Sequence, residues 1–150
     1  MPGTQFDYVT YVAAPTRKVW EALIKAESTR KYWGHENVSD WKRGSAWEHR
    51  DAGNGMLRLT GKVVEFEPPR RMVLTWADPA QAGDHAAHSR VAIELEPIED
   101  MTRLSVRHDR LVPGSEMQRG IEEGWPRVLS SLKSYLETGK PLPTWAKAAR

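Results

Sequence analysis

The chain has 150 residues, which suits one domain with its own hydrophobic core, and we predict a single domain over residues 1–150 with residues 140–150 as a short tail. It has no cysteine, which excludes disulfides and thiolate chemistry, and it has neither a secretory signal pattern nor an apolar run of the roughly 20 residues that span a membrane, so we expect a cytoplasmic location. Its 22 lysines and arginines nearly balance its 20 aspartates and glutamates and occur in ones and twos, which excludes the basic stripe that nucleic-acid binding requires.

The beginning of the chain predicts one strand and two short helices. Residues 5–12 are rich in aromatic and β-branched residues, which is typical of a strand. Pro15 stands where a helix can begin, and the residues after it form one apolar helical face, made of Val19, Trp20, Leu23 and Ile24. Residues 27–33 predict a second short helix, which ends at Gly34.

The middle of the chain predicts six strands separated by turns rich in glycine, asparagine and proline. We place the strands at residues 37–41, 45–50, 56–66, 71–77, 88–97 and 102–108. Strands joined by such short turns run antiparallel. Alternation along each strand assigns one face to the interior. The inward set is Trp47, His49, Leu57, Leu59, Val63, Met72, Leu74, Trp76, Val91, Ile93, Leu95, Leu104, Val106 and His108.

Residues 115–138 predict one long amphipathic helix, whose large apolar residues repeat at spacings of three and four. Ser115 and Gln118 are spaced to form a capping box at its start. Inside it, Pro126 lacks the N–H that would bond to the carbonyl of Glu122, so we expect a kink near residues 122–125. A kinked helix can stand off from the sheet that it covers, which favours a cavity. A kink inside an ordinary solid core is the alternative.

The order of these elements predicts an α+β fold. A seven-stranded antiparallel sheet with one apolar face needs a cover, and only the C-terminal helix has an apolar stripe long enough to provide it. We therefore expect the curved sheet to wrap around that helix, with the two short helices after the first strand.

A series of short motifs runs through nearly the whole chain. The motifs are Ala14-Pro15 with Val19-Trp20-Glu21-Ala22-Leu23, Tyr32-Trp33-Gly34, Trp41-Lys42, Gly44-Ser45, Trp47, Glu67-Pro68-Pro69-Arg70-Arg71, Thr75-Trp76, His108-Asp109, Gly124-Trp125-Pro126, Ser131-Leu132-Lys133 and Leu136-Glu137-Thr138-Gly139. In their order and spacing they resemble the AHSA-like branch of the START-type (SRPBCC) superfamily.

This resemblance implies a helix-grip (START-like) fold that encloses a pocket for hydrophobic ligands. Proteins named after the activator of heat-shock protein ATPase, polyketide cyclases and lipid carriers share that fold, so the fold does not choose among their functions. The branch has no catalytic motif that matches residues of this chain.

Motifs of enzyme chemistry are absent from the sequence. It has no glycine-rich phosphate loop and no G-x-S-x-G nucleophile motif, and we expect no cofactor. His85 and His88 have a spacing that suits a metal on a helix, but they stand in a predicted polar loop, so we expect no metal site. His49 and His108 are predicted to face inward, where a role in a pocket wall is favoured over catalysis.

We predict that the protein binds a hydrophobic or aromatic small molecule between the sheet and the C-terminal helix, with His108 as one of few polar groups that orient it. The predicted ligand-binding residues are Trp47, His49, Leu57, Leu59, Leu74, Trp76, Val91, Ile93, Val106, His108, Met117, Ile121 and Trp125.

Two other functions stay open. A cyclase- or hydrolase-type enzyme would use His49 or His108 as a base. A chaperone ATPase co-regulator is the hypothesis that we favour least, because the eukaryotic activators that this domain resembles carry a further N-terminal domain, whereas the first strand here begins at about Gln5. A homodimer is also a hypothesis, since Trp33, Trp41 and Trp145 stand in short or terminal segments. We also expect Trp145 to dock on the domain.

Overall fold

The structure, a computed structural model, describes residues 4–143 as a seven-stranded antiparallel sheet with three α-helices. The strands are β1 (Thr4–Val12), β2 (His35–Ser39), β3 (Ala46–Asp51), β4 (Leu57–Glu67), β5 (Arg71–Trp76), β6 (Ser89–Ile98) and β7 (Met101–Leu111). They lie in the order β1-β7-β6-β5-β4-β3-β2, so the first strand of the chain pairs with the last. The predicted α+β helix-grip architecture is confirmed.

The helices lie before and after the meander of strands. The two short ones, α1 (Thr16–Ile24) and α2 (Ala26–Trp33), follow β1, and the long one, α3 (Glu116–Thr138), follows β7. Two short 3-10 turns, Pro79–Gln81 and His85–Ala87, lie between β5 and β6. Within residues 4–143, none of the helices is both long and apolar enough to cross a membrane.

The ends of α3 follow the sequence prediction with one difference. Ser115 accepts a hydrogen bond from the backbone N–H of Gln118 (3.1 Å), and Gly139 closes the last turn in the left-handed conformation, with φ of 83°. In a capping box the Gln118 side chain would accept from the backbone N–H of Ser115. It accepts instead from the backbone N–H of Gly114 (2.7 Å). The helix is continuous through Pro126, and the bend stays a prediction.

The inward faces that alternation assigns are buried, with exceptions at the start of β4. Leu57 and Leu59 are only half-buried. A β-bulge interrupts the β3–β4 pairing, so that Leu59 lies opposite His49 but Leu57 lies opposite Arg50. Directly opposed residues share a face of the sheet, and Arg50 alternates with the inward His49. The prediction that Leu57 faces inward is therefore wrong, because a bulge changes the alternation on which it was based.

Strand β2 begins and ends two residues earlier than predicted. Gly34, in the left-handed conformation, ends α2, and β2 begins at once with His35. At its other end the hydroxyl of Ser39 accepts from the backbone N–H of Trp41 (2.9 Å), and Trp41 has a positive φ of 53°. This local bond turns the chain away from the sheet before Trp41.

Gly61 lies at the closest approach of β4 to its neighbours. The indole N–H of Trp47 donates to the carbonyl of Thr75 (2.7 Å) directly beside it. A Cβ at position 61 would lie 1.9 Å from that carbonyl oxygen and 2.6 Å from the indole nitrogen. Only glycine fits there without displacing backbone. The missing side chain at position 61 leaves the space in which the indole of Trp47 bonds to the carbonyl of Thr75.

Two of the three tryptophans on which the homodimer hypothesis was based, Trp33 and Trp41, pack against other residues of the chain. Trp33 lies against the rings of His49 and Trp125, with centroid distances of 4.6 Å and 5.6 Å, and Trp41 stacks on Phe66 at 5.9 Å. Their burial needs no second copy of the chain. Trp145, with its predicted docking, lies outside the described residues.

Candidate ligand-binding cavity

A cavity of about 340 Å³ lies between the first half of α3 and the inner face of the sheet. Its volume is in the range of small-molecule sites. The residues that line it are Trp33, His49, Leu59, Trp76, Asp78, Glu116, Met117, Gly120, Ile121, Gly124, Trp125 and Val128. Most of this wall is apolar or aromatic, and the polar groups are few.

The wall that α3 provides has a gap at two glycines, one helical turn apart. A Cβ built on Gly120 or on Gly124 would meet no atom within 4 Å, so each faces open space. Gly124 lies three residues from Ile121 and four from Gly120, and residues three and four apart share a helical face. The cavity therefore occupies the volume that side chains at these two positions would fill.

A cluster of three indoles forms the floor of the cavity. Trp76 on β5 lies 5.5 Å from Trp125 on α3 and 5.0 Å from Trp47 on β3, measured between ring centroids. Behind this cluster is a void of only about 20 Å³, lined in part by Trp47, Leu74 and Ile93. The indoles therefore pack on one another as a core does, and the larger empty volume lies beside them.

His49 is the buried polar group in the cavity wall. Asn37 donates through Nδ2 to the carbonyl of Leu23 (3.4 Å), which leaves its Oδ1 to accept from His49 Nδ1 (2.5 Å). This arrangement assigns the ring proton to Nδ1 and makes Nε2 an acceptor. Among the described residues Nε2 has no hydrogen-bond partner. Burial, with a smaller contribution from the neighbouring His35, lowers the pKa of His49 to about 3, so the ring is neutral.

His108 is fully buried and does not line the cavity. Its Nδ1 accepts from the indole N–H of Trp125 (3.1 Å), and its Nε2–H donates to the hydroxyl of Ser89 (2.8 Å). That hydroxyl in turn donates to the carbonyl of Trp76 (3.0 Å). Burial lowers the pKa of His108 to about 3. Since both ring nitrogens are bonded within the protein, neither is available to orient a ligand, contrary to the sequence prediction.

The mouth of the cavity carries two carboxylates. Asp78 and Glu116 are exposed at the end of β5 and at the first turn of α3. Asp78 also accepts from the backbone N–H of Ala80 (3.0 Å), which holds it at the start of a 3-10 turn. Among the described residues that line the cavity there is no lysine or arginine. Trp76, which is 4% exposed, has a buried indole N–H without a hydrogen-bond partner.

The predicted ligand-binding residues separate into three groups in the structure. His49, Leu59, Trp76, Met117, Ile121 and Trp125 line the cavity. Trp47, Leu74 and Ile93 line the smaller void of about 20 Å³. Leu57, Val91, Val106 and His108 contact neither space.

Other wall residues were not predicted from the sequence. They are Trp33, Asp78, Glu116, Gly120, Gly124 and Val128, together with Asn37, which orients His49. A signal for the glycines exists in the sequence, because both fall one turn apart beside the apolar stripe of α3, where glycine is unfavourable.

One histidine of the pair in the polar loop, His88, has a structural role. His88 is buried, and its Nε2 donates to the carbonyls of Gln81 and Ala82 (3.1 Å and 3.2 Å). This ties the loop back to β6. Within residues 4–143 no group of three or more histidine, aspartate or glutamate side chains is placed to hold a metal ion.

The opposite face of the sheet has a larger depression, of about 520 Å³, but its character is different. Ion pairs cross it, which include Arg107 with Asp7 at 3.1 Å and Arg71 with Glu65 at 3.2 Å. Such solvated pairs are weak and satisfy one another. The apolar cavity under α3 is therefore the better candidate for a ligand site.

Comparison with known proteins agrees with the fold. The sequence matches the family described as "Activator of Hsp90 ATPase homolog 1-like protein" over residues 13–137. The solved Aha1 dimer from Colwellia psychrerythraea is 22% identical, with a TM-score of 0.75, over 91% of this chain and 98% of that chain. CalU16 from Micromonospora echinospora is 21% identical, with a TM-score of 0.72, over 97% of this chain and 81% of that chain. PFC0360w, an HSP90 activator from Plasmodium falciparum, is 21% identical, with a TM-score of 0.73, over 93% and 99%. No curated protein matches the chain.

Proposed function

Because the chain belongs to the Activator of Hsp90 ATPase homolog 1-like family and has an apolar cavity under its C-terminal helix, we propose that it binds a hydrophobic or aromatic small molecule in that cavity. The single observation that carries the proposal is the cavity itself, with indole walls and an open volume of about 340 Å³. Sites for small molecules are commonly apolar clefts of this size with few polar groups.

The two glycines of α3 support a binding role over a packing defect. Glycine inside a helix is about 1 kcal/mol less favourable than alanine. At Gly120 and Gly124 a Cβ would fit without any close contact, so the local structure does not require glycine. A larger residue at Gly124, which is half-buried in the cavity wall, would narrow the open volume. The proposed function accounts for an open volume that stability alone disfavours.

Filling the cavity tests the proposal directly. We expect Gly124→Leu to abolish saturable binding of prodan, a neutral naphthalene dye whose fluorescence rises in apolar surroundings. The same variant should unfold at equal or higher urea concentration, since it removes a helical glycine whose replacement is worth about 1 kcal/mol.

The matched control is Gly83→Leu, because a Cβ at Gly83 also meets open space but the residue lies in the polar loop away from the cavity. This control should bind prodan as the unaltered protein does. Equal prodan affinity in the Gly124→Leu variant, or no saturable signal from the unaltered protein, would overturn the proposal.

An acid–base enzyme is the alternative that His49 suggests, since this residue presents an unpaired ring nitrogen at the cavity. Its surroundings argue against proton transfer. The partner of Nδ1 is the neutral amide of Asn37, whereas a catalytic histidine is usually oriented by a carboxylate that stabilises its charged form. With its pKa lowered to about 3, His49 is a weak base at neutral pH.

The family description gives chaperone co-regulation as a second candidate function. The Gly124→Leu variant separates the two, because it closes the cavity and leaves the outer surface unchanged. A stimulation of Hsp90 ATP hydrolysis that the unaltered chain and this variant share would assign that activity to the surface. No stimulation by either protein would leave ligand binding as the proposed function.

A further inference from the structure

We propose that the cavity selects an apolar or aromatic ligand that carries a hydrogen-bond donor, such as an amine or a hydroxyl group, and that it rejects anionic ligands such as fatty acids. This inference rests on the proposed function and specifies the ligand's chemistry. It follows from the polar groups of the described cavity wall, which are two carboxylates at its mouth, the unpaired acceptor of His49 and one unpaired donor, the indole N–H of Trp76. A ligand hydroxyl group can both donate and accept a hydrogen bond.

The first argument is the charge at the mouth. Asp78 and Glu116 carry the formal charges in the described wall, and both are negative. A carboxylate ligand that enters would approach like charges and would lose its water shell without gaining a cationic partner. An ammonium group meets opposite charges at the same place. The rings of Trp33, Trp76 and Trp125 also line the cavity, and indole rings attract cations electrostatically.

The second argument is the polarity of His49. Its Nδ1–H is held by Asn37, so the ring nitrogen that remains is an acceptor without a partner among the described residues. The residue is 3% exposed and lies in the cavity wall. A buried acceptor gains most from a ligand that donates, since an unmade hydrogen bond in an apolar site is unfavourable. A ligand that only accepts hydrogen bonds leaves this nitrogen unsatisfied.

The third argument comes from the bonds that fix this polarity. The Asn37 amide is itself oriented by the carbonyl of Leu23, a main-chain acceptor that cannot change its role. The ring of His49 is also held between those of His35 and Trp33, each with its centroid 4.6 Å away. These contacts oppose a rotation of the imidazole that would present an N–H to an anionic ligand.

Naphthalene probes that differ in one substituent test the inference. We expect 2-naphthylmethylammonium and 2-naphthol to bind at least about tenfold more tightly than 2-naphthoate at neutral pH, by isothermal titration calorimetry. We also expect 2-methoxynaphthalene, which has no donor, to bind about three- to tenfold more weakly than 2-naphthol, as the loss of one hydrogen bond predicts.

Charge reversal at the mouth provides the matched variants. Glu116→Lys should lower the affinity for the ammonium probe and raise the affinity for the naphthoate, each by about fivefold. Glu123→Lys makes the same change of net charge on an exposed residue of α3 that does not line the cavity, so both affinities should stay within about twofold.

The outcomes distinguish this inference from the proposed function. Equal affinities for the charged probes, or tightest binding of the naphthoate, together with saturable binding of prodan, would overturn the ligand class and leave the binding function intact. If neither prodan nor any naphthalene probe binds, both are overturned.

Discussion

His49 and His108 are both buried and have similarly lowered pKa values, but their surroundings differ. His108 uses both ring nitrogens within the protein, in a chain of hydrogen bonds that runs from Trp125 to Ser89. His49 uses one nitrogen and leaves the other beside the cavity. The two histidines therefore differ in their hydrogen bonds and not in their burial. Both nitrogens of His108 are bonded within the protein, whereas His49 keeps one nitrogen that could bond to a ligand.

The same histidines predict a loss of stability in mild acid. In the folded protein both remain neutral, because burial lowers each pKa from 6.5 to about 3. The unfolded chain binds protons below about pH 6.5, so between that pH and about pH 3 the unfolded state holds more protons and stability falls as the pH falls. From pH 7 to about pH 5 each histidine should remove about 2 kcal/mol from the free energy of unfolding.

Urea unfolding of single variants at both pH values measures this effect. His49→Gln and His108→Gln should each reduce the pH-dependent decrease by about 2 kcal/mol, whatever they do to stability at neutral pH. His85→Gln is the matched control, because His85 is exposed and should leave the decrease unchanged. A decrease of equal size in all of these proteins would show that other groups cause it.

For single residues, the sequence predicted which side chains face the interior but not which groups they form hydrogen bonds with. Alternation placed His108 inward, and it is buried. Its hydrogen bonds to Ser89 and Trp125 join residues from β6, β7 and α3, and no spacing along one strand could reveal them. Asn37 was missed for the same reason, since it meets His49 only through the pairing of β2 with β3.

At the scale of elements, α3 is attached to the sheet at both ends of its length. Near its start Gln118 donates to the hydroxyl of Thr4 (2.9 Å), and near its end Lys133 donates to the carbonyl of Tyr11 (2.7 Å). Between them the bond from Trp125 to His108 joins the helix to β7. The cavity lies along the first half of the helix, from Glu116 to Val128, and so includes the central attachment at Trp125.

The central attachment should appear as an energetic coupling. We expect a double-mutant cycle of Trp125→Phe with His108→Phe to give a coupling of about 1–3 kcal/mol in urea unfolding, since either change alone leaves a buried polar group without its partner. Trp125→Phe with Lys133→Met is the control pair. Those residues lie two turns apart on α3, so their effects should add within about 0.5 kcal/mol. A coupling near zero for the first pair would contradict the structural role of His108.

Element prediction succeeded where one pattern ran undisturbed and failed where a local feature changed it. The 3.6-residue period and the N-cap of α3 were both read correctly. The bulge in β4 was not, and the two leucines on either side of it were given the same face. A bulge adds one residue without any required residue type, so alternation alone could not locate it.

For the whole molecule, charge is balanced locally as well as in total. The net charge is +2, and the outer face of the sheet pairs its arginines with neighbouring carboxylates, among them Arg71 with Glu94 at 3.3 Å. Binding to DNA requires several cations that face phosphates together. We therefore expect no binding to a labelled DNA duplex at micromolar protein, by fluorescence anisotropy at low salt.

A charge-altered variant provides a positive control for this DNA-binding measurement. Glu65→Lys with Glu94→Lys removes two carboxylates that flank Arg71 and leaves the outer face strongly basic. That double variant should acquire weak, salt-dependent DNA binding. Salt-dependent binding of micromolar affinity by the unaltered protein would contradict the expectation.

The pairing of β1 with β7 also sets an order of events during synthesis on the ribosome. Val12, at the end of the first strand, pairs with Thr102, so β1 must wait for some ninety more residues to be translated before its partner exists. Strands β2 to β6 pair with near neighbours and can assemble sooner, because contacts close in sequence form faster. Until β7 emerges, β1 is an unpaired strand with exposed Val9 and Tyr11, which is when a nascent chain is most prone to misassociate. The cavity under α3 can form only after α3 has been translated, so it comes into existence last.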